Sequence, residues 1–129
     1  MSNGDEEARQ VAVQWAEAYF NCDYHEALRL STAESDKWLR FTATNTTTND
    51  LRLIQESPAI VVHKELYTSS DDTLWVWKLT MNNTLSPIIP GDTVHLEKNL
   101  TFLITVVKRD NTCLVKMEGL PQSERQSHD

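Results

Sequence analysis

The 129-residue sequence predicts an α+β domain in which N-terminal helices fold onto a four-stranded antiparallel sheet. Three observations predict it. Apolar residues recur at three- and four-residue spacing over residues 5–21, the period changes to two after Pro58, and two pairs of alternating segments are each joined by a short polar turn. A chain of this length with 40% hydrophobic residues builds one core. The expected organisation is a flexible start at 1–4, a single domain at 5–120 and a flexible polar tail at 121–129.

In the first helix, Ala8, Val11, Ala12, Trp15, Ala18 and Tyr19 form the inner face, while Glu6, Arg9 and Glu17 face away. The helix stops near Asn21-Cys22, because Asp23-Tyr24-His25-Glu26 has the form of a capping box. A short second helix follows with Tyr24, Ala27, Leu28 and Leu30. Ser31-Thr32-Ala33-Glu34 repeats the cap pattern and opens a third helical segment containing Trp38, Leu39 and Phe41. Residues 42–49 are rich in Thr and Asn and read as a fraying end and loop. Residues 50–56 allow one more turn, which Ser57-Pro58 stops.

Residues 59–68 and 73–82 read as a hairpin turned at Ser69-Ser70-Asp71-Asp72. With Ser69 facing Asp72, Leu66 pairs with Trp75, Lys64 with Trp77, Val62 with Leu79 and Ile60 with Met81. The opposite face then carries His63, Glu65 and Tyr67 against Lys78, Val76 and Leu74. The connection at 82–92 exposes Ile88-Ile89 between prolines. A third strand over 93–108 alternates throughout except at Lys98. With Asp110-Asn111 as the next turn, Val106 faces Val115 and Ile104 faces Met117.

A formal charge of −7 and a pI near 5.0 argue against nucleic acid or an anionic membrane as a partner, since both need a concentrated basic surface. No apolar run reaches the roughly 18 residues that span a bilayer, and the start lacks the regions of a signal peptide. The polar, acidic opening Met1-Ser2-Asn3-Gly4-Asp5-Glu6-Glu7 suits a mature exported protein whose leader has been replaced by a methionine. Cys22 and Cys113 are too few for a disulfide framework and lack metal-type spacing; each suits a small core residue, with a single bridge between them as the alternative.

The stretch from Trp15 to Leu28, with its Asn21-Cys22-Asp23-Tyr24 break, followed by Ser31-Thr32-Ala33-Glu34, resembles the opening of the nuclear transport factor 2-like superfamily. Within it the chain looks most like small bacterial exported proteins or lipoproteins of unassigned role. The resemblance implies a curved sheet, a cone with a pocket between helices and sheet, and dimerisation through the outer sheet face. It also implies an exported or envelope setting, with a lipid anchor outside the given sequence. It does not imply catalysis, because one fold hosts many activities.

Isomerase-type members of that superfamily pair a pocket acid with a tyrosine. Tyr19 is the candidate tyrosine, but no acid matches: Asp23 is a cap, Asp71, Asp72, Asp92 and Asp110 lie in turns, and Glu65 and Glu97 face away from the core. No catalytic residue is assigned. His63-Lys64-Glu65 and His95-Leu96-Glu97 could converge on zinc, yet the same alternation marks a polar sheet face, so neither a metal nor a cofactor is expected. The candidate ligand-binding set is Trp15, Tyr19, Trp38 and Trp77, aromatics that more often form a core than a ligand cage, together with Lys98, which on an apolar strand face must either reach solvent by its stem or meet an acidic or polar ligand. The expected function is a non-catalytic domain that binds a small molecule or a protein partner. The alternatives are an isomerase or lyase using Tyr19, and a structural subunit pairing through its sheet at Tyr67 and Val76.

Overall fold

A computed structural model describes residues 3–124 and places the first apolar stripe on helix α1 (Asn3–Phe20). Ala8, Ala12 and Ala16 are fully buried, so the backbone of α1 lies close against the sheet while Trp15 and Tyr19 fill the space between. The helix begins earlier than the spacing predicts; residues 1–2 of the expected flexible start lie outside the described residues. Glu17, predicted to face away, is half-buried and accepts a hydrogen bond from the Val61 amide at 3.1 Å. Its neighbour one turn on, Asn21, exchanges bonds with both backbone groups of Ala59 at 2.8 and 2.9 Å, fixing where the sheet starts.

The break after α1 is a left-handed stop. The Cys22 amide donates to Tyr19 O at 3.0 Å, the Asp23 amide to Ala18 O at 2.8 Å, and Cys22 has φ 64°. Asp23 then caps α2 (Tyr24–Arg29) by accepting from the Glu26 amide. The reciprocal half of the expected box is missing, because the Glu26 carboxylate is held by Arg29.

The second expected cap is not made. A 3-10 turn at Ala33–Ser35 leads into α3 (Asp36–Thr44), and Thr32 turns its hydroxyl to Ser35 instead. Its backbone is occupied elsewhere: the Thr32 amide donates to Val115 O and the Val115 amide to Leu30 O. The complete capping box lies where a loop is predicted. Thr47 and Asp50 exchange bonds at 3.0 Å, and α4 (Thr48–Glu56) runs for nine residues rather than one turn.

The strands are β1 (Ile60–Ser70), β2 (Leu74–Asn82), the two-residue β3 (Thr84–Leu85) and β4 (Leu96–Glu97), then β5 (Leu100–Arg109), β6 (Thr112–Val115) and β7 (Ser123–Glu124). The path β1-β2-β5-β6 supplies the four antiparallel strands expected, with Val106 facing Val115 as predicted. β6 ends there, so Ile104 does not pair with Met117, whose amide donates to Ser35 Oγ at 2.9 Å. Leu30 to Thr32 run along the outer edge of β6.

The first hairpin has a different register from the predicted one. Asp71 and Asp72 both take φ 53°, and the Thr73 amide closes on Ser70 O, so the turn sits one residue later than expected. Leu66 consequently faces Trp77, Lys64 faces Leu79 and Ile60 faces Asn82, with bulges between Val61 and His63 and between Leu66 and Thr68. Tyr67 falls at the second bulge and is 58% exposed; Ser70, not Tyr67, faces Leu74, and Thr68, not Glu65, faces Val76.

The long third strand is broken into β4 and β5 at Lys98-Asn99, where Asn99 has φ 58°. β4 pairs with β3 in a separate ribbon. Part of the predicted tail is ordered too, since Ser123 and Glu124 pair with Phe102 and Thr101; residues 125–129 lie outside the described residues. Trp75, Trp77, Leu79 and Met81 of β2 and Phe102, Ile104 and Val106 of β5 face the helices and form the core. Cys22 and Cys113 are free thiols, and no described helix is long and apolar enough to cross a membrane.

Candidate functional site

The end of α1 delivers a run of aromatic rings toward β5. Trp15 and Tyr19, one turn apart, stack with centroids 4.8 Å apart and planes 9° from parallel. Tyr19 meets Phe20 at 5.1 Å and Tyr24 at 5.8 Å, both edge to face, and Phe20 reaches Phe102 of β5 at 4.5 Å. Because Cys22 turns the chain through the left-handed region, Tyr24 comes back beside Tyr19 instead of continuing along the helix.

Tyr19, Phe20, Tyr24 and Phe102 wall a cavity of about 400 Å³ between helices and sheet, lined on its other sides by Leu85, Leu100, Leu120 and Pro121. An adjoining cavity of about 280 Å³ shares Tyr19, Tyr24 and Thr42 with it and extends past Phe41 and Asn45 to Asp50. Both spaces are mainly apolar and share the hydroxyls of Tyr19, Tyr24 and Thr42; Asn45, Thr46, Asp50 and Ser86 add polar groups to the smaller one, Gln122 and Ser123 to the larger. Thr42 of α3 and Thr46, just past its end, meet the two phenols at four-residue spacing: Tyr19 Oη lies 3.0 Å from Thr42 Oγ1, and Tyr24 Oη 2.8 Å from Thr46 Oγ1. Each threonine in turn donates to the carbonyl four residues back, Thr42 to Trp38 O and Thr46 to Thr42 O.

Burial disfavours the charged forms of Tyr19, Cys22 and Tyr24 along this wall. Desolvation pushes the Tyr19 phenol up, against the bond to Thr42. It pushes Tyr24 up strongly, with the neighbouring Cys22 adding to it. The Cys22 thiol is raised by burial and by the negative charge of Asp50, despite its bond to Tyr24. Among the described residues Asp50 carries the one formal charge on the lining, and its carboxylate accepts from the Thr47 amide as part of the α4 cap. Among the described residues no lysine, arginine or histidine lines either space.

Of the five residues predicted from sequence, only Tyr19 reaches this cavity. Trp15 is buried, gives its indole N–H to Ser31 Oγ at 2.8 Å, and borders a separate space of about 390 Å³ beside Met117. Trp77 is a core residue whose Nε1 has no partner among the described residues. Trp38 packs half-buried against the core under Lys37. Lys98 is exposed in the β4–β5 turn, so the expectation of a pocket lysine is not met. Its break in the alternation marks the end of one strand, not an inward-facing cation.

Sequence reasoning missed Phe20, Cys22, Tyr24 and Phe102, which converge only once the left-handed turn and the β5 register are in place. The Asp-Tyr break was the one signal that held Tyr24. The paired histidines do not converge either: His63 and His95 each meet the glutamate two residues on, at 3.5 and 3.0 Å. No group of three potential metal ligands occurs among the described residues.

The order of elements agrees with the resemblance to the nuclear transport factor 2-like superfamily. No family model matches the sequence, and no curated protein matches it. Among solved structures, one described as an "Ntf2 like protein involved in plasmid conjugation" aligns at 13% identity and a TM-score of 0.44; the alignment covers 98% of this chain and 51% of that one, so this chain spans about half of its length.

Proposed function

We propose that the chain is a non-catalytic binding domain that takes a small, mainly apolar molecule into the cavity between α1, α3 and β5. One observation supports this above others: an aromatic-walled space of about 400 Å³ in which Tyr19, Cys22 and Tyr24 are all pushed toward their neutral forms. Its size suits a small organic ligand, since such sites run from roughly 300 to 1,000 Å³. General acid or base work needs a group poised near the working pH, and burial moves these groups away from it. The isomerase or lyase alternative also needs an acid near Tyr19, and Asp50, the carboxylate on that wall, is engaged as a helix cap.

The test uses N-phenyl-1-naphthylamine, an uncharged probe whose emission rises in apolar surroundings. Saturable, one-to-one enhancement is expected, and Leu85→Trp, which puts an indole into the shared wall, is expected to abolish it while leaving the far-ultraviolet circular dichroism unchanged. No enhancement in the parent protein, or undiminished enhancement in a folded Leu85→Trp variant, would overturn the proposal.

A further inference from the structure

The hydroxyl protons along the cavity are already spent on the protein itself. A threonine hydroxyl has one proton, and Thr42 and Thr46 give theirs to Trp38 O and Thr42 O. Tyr19 and Tyr24 must therefore donate to the threonine oxygens, 3.0 and 2.8 Å away, and keep only lone pairs for a guest. Four of the five hydroxyls on the smaller space are committed in this way; Ser86, whose oxygen accepts from the His95 amide, keeps its proton. Asn45 spends one of its two amide hydrogens on Phe41 O at 2.8 Å and retains the other together with its carbonyl oxygen. Asp50 adds a carboxylate, and no basic side chain among the described residues balances it. The wall thus offers acceptors and negative charge beside an apolar, ring-lined chamber, within a chain of formal charge −7.

We infer that the cavity selects a primary ammonium carried on an apolar, ring-sized body, with the body among Phe20, Tyr24 and Phe102 and the ammonium facing the tyrosine oxygens and Asp50. The inference rests on the binding reading above and names its ligand class. An ammonium brings three donors and no acceptor, which matches what the wall lacks. Its charge is favoured by aromatic ring faces as well as by the carboxylate. A carboxylate ligand would find the Ser86 hydroxyl, one Asn45 N–H and the polar ends of Gln122 and Ser123 but no cation to offset the charge of Asp50, so the sign of the preferred ligand is opposite to the one Lys98 suggested.

The experiment titrates the full chain by calorimetry at pH 7 with three probes of one shape: 1-naphthylmethylamine, 1-naphthalenemethanol and 1-naphthoic acid. The amine is expected to bind about tenfold tighter than the alcohol, which is the scale of one charge-assisted hydrogen bond, with the acid weakest. Asp50→Asn keeps an acceptor for the Thr47 amide and is expected to cut the amine-to-alcohol ratio about fivefold. In the parent protein, added salt is expected to shrink the same ratio, which keeps the test independent of how well the variant folds. If alcohol and amine bind equally, or the acid binds tightest, the ammonium assignment is wrong while the cavity remains a binding site. If none of the three binds or displaces N-phenyl-1-naphthylamine, the binding reading fails and the assignment with it.

Discussion

At Cys22 two demands meet on one residue. The helix stop requires a left-handed backbone, which glycine adopts without cost and other residues adopt at about 1–2 kcal/mol. The cavity wall requires a side chain there, and the thiol supplies it. Keeping a strained residue where glycine would serve is the pattern seen when a site and a fold compete for one position. Cys22→Gly is therefore expected to match or exceed the parent in urea unfolding, by up to about 1 kcal/mol, while weakening naphthyl probe binding. Cys22→Val, similar in size but β-branched, is expected to lose about 1–2 kcal/mol. A large loss in the glycine variant would show that the thiol is held there for packing alone. Nothing in the sequence marks Cys22 as a wall residue, because its role depends on a backbone angle and not on residue type or spacing.

Among the elements, capping chemistry decided more than composition. The Thr- and Asn-rich stretch argued for a loop, yet Thr47 and Asp50 satisfy each other's orphan amides and start a nine-residue helix. Thr47→Ala is expected to cost about 1 kcal/mol and lower the midpoint of thermal unfolding by about 4 °C, whereas Thr48→Ala beside it is expected to stay within about 0.5 kcal/mol. Equal effects from the two would mean that the box contributes nothing. The period-two strands were legible because half-buried sheets enforce alternation, and the β5–β6 register followed from Asp110-Asn111, whose φ angles of 51° and 63° fit a two-residue turn. The β1–β2 register was not legible. β1 is exposed along nearly its whole length, so no apolar face penalises a slip, and two bulges re-aim its side chains after the turn. The cavity fared like β1: its walls come from residues 19–24, 42, 85–87, 100–102 and 120–123, and sequence spacing carries no information on segments that far apart.

Across the whole molecule, the helical layer and the far end of the sheet are tied by a bidentate ion pair, Arg109 Nη1 and Nη2 to the Glu34 carboxylate at 2.9 and 2.8 Å. The bond to Arg109, helped by a backbone bond, pulls the Glu34 carboxyl down to about 2 from an ordinary value near 4.5. A carboxyl whose folded value is depressed contributes stability that is complete above the unfolded value and lost as pH falls through the folded one. The window is thus pH 4.5 down to about 2. His95 has the opposite sign: its ring is raised above 6.5 by the Thr93 carbonyl and by Glu97, so its contribution is complete below 6.5 and fades as pH rises through the higher value. Both groups are solvent-exposed, which keeps the two effects small and salt-sensitive. Thermal midpoints of the parent and of Glu34→Gln, compared from pH 7 to pH 2, are expected to differ by a constant amount down to pH 4.5 and then to converge. A gap that persists at pH 2 would mean that the glutamine disturbs packing and that the ion pair does not join the two layers.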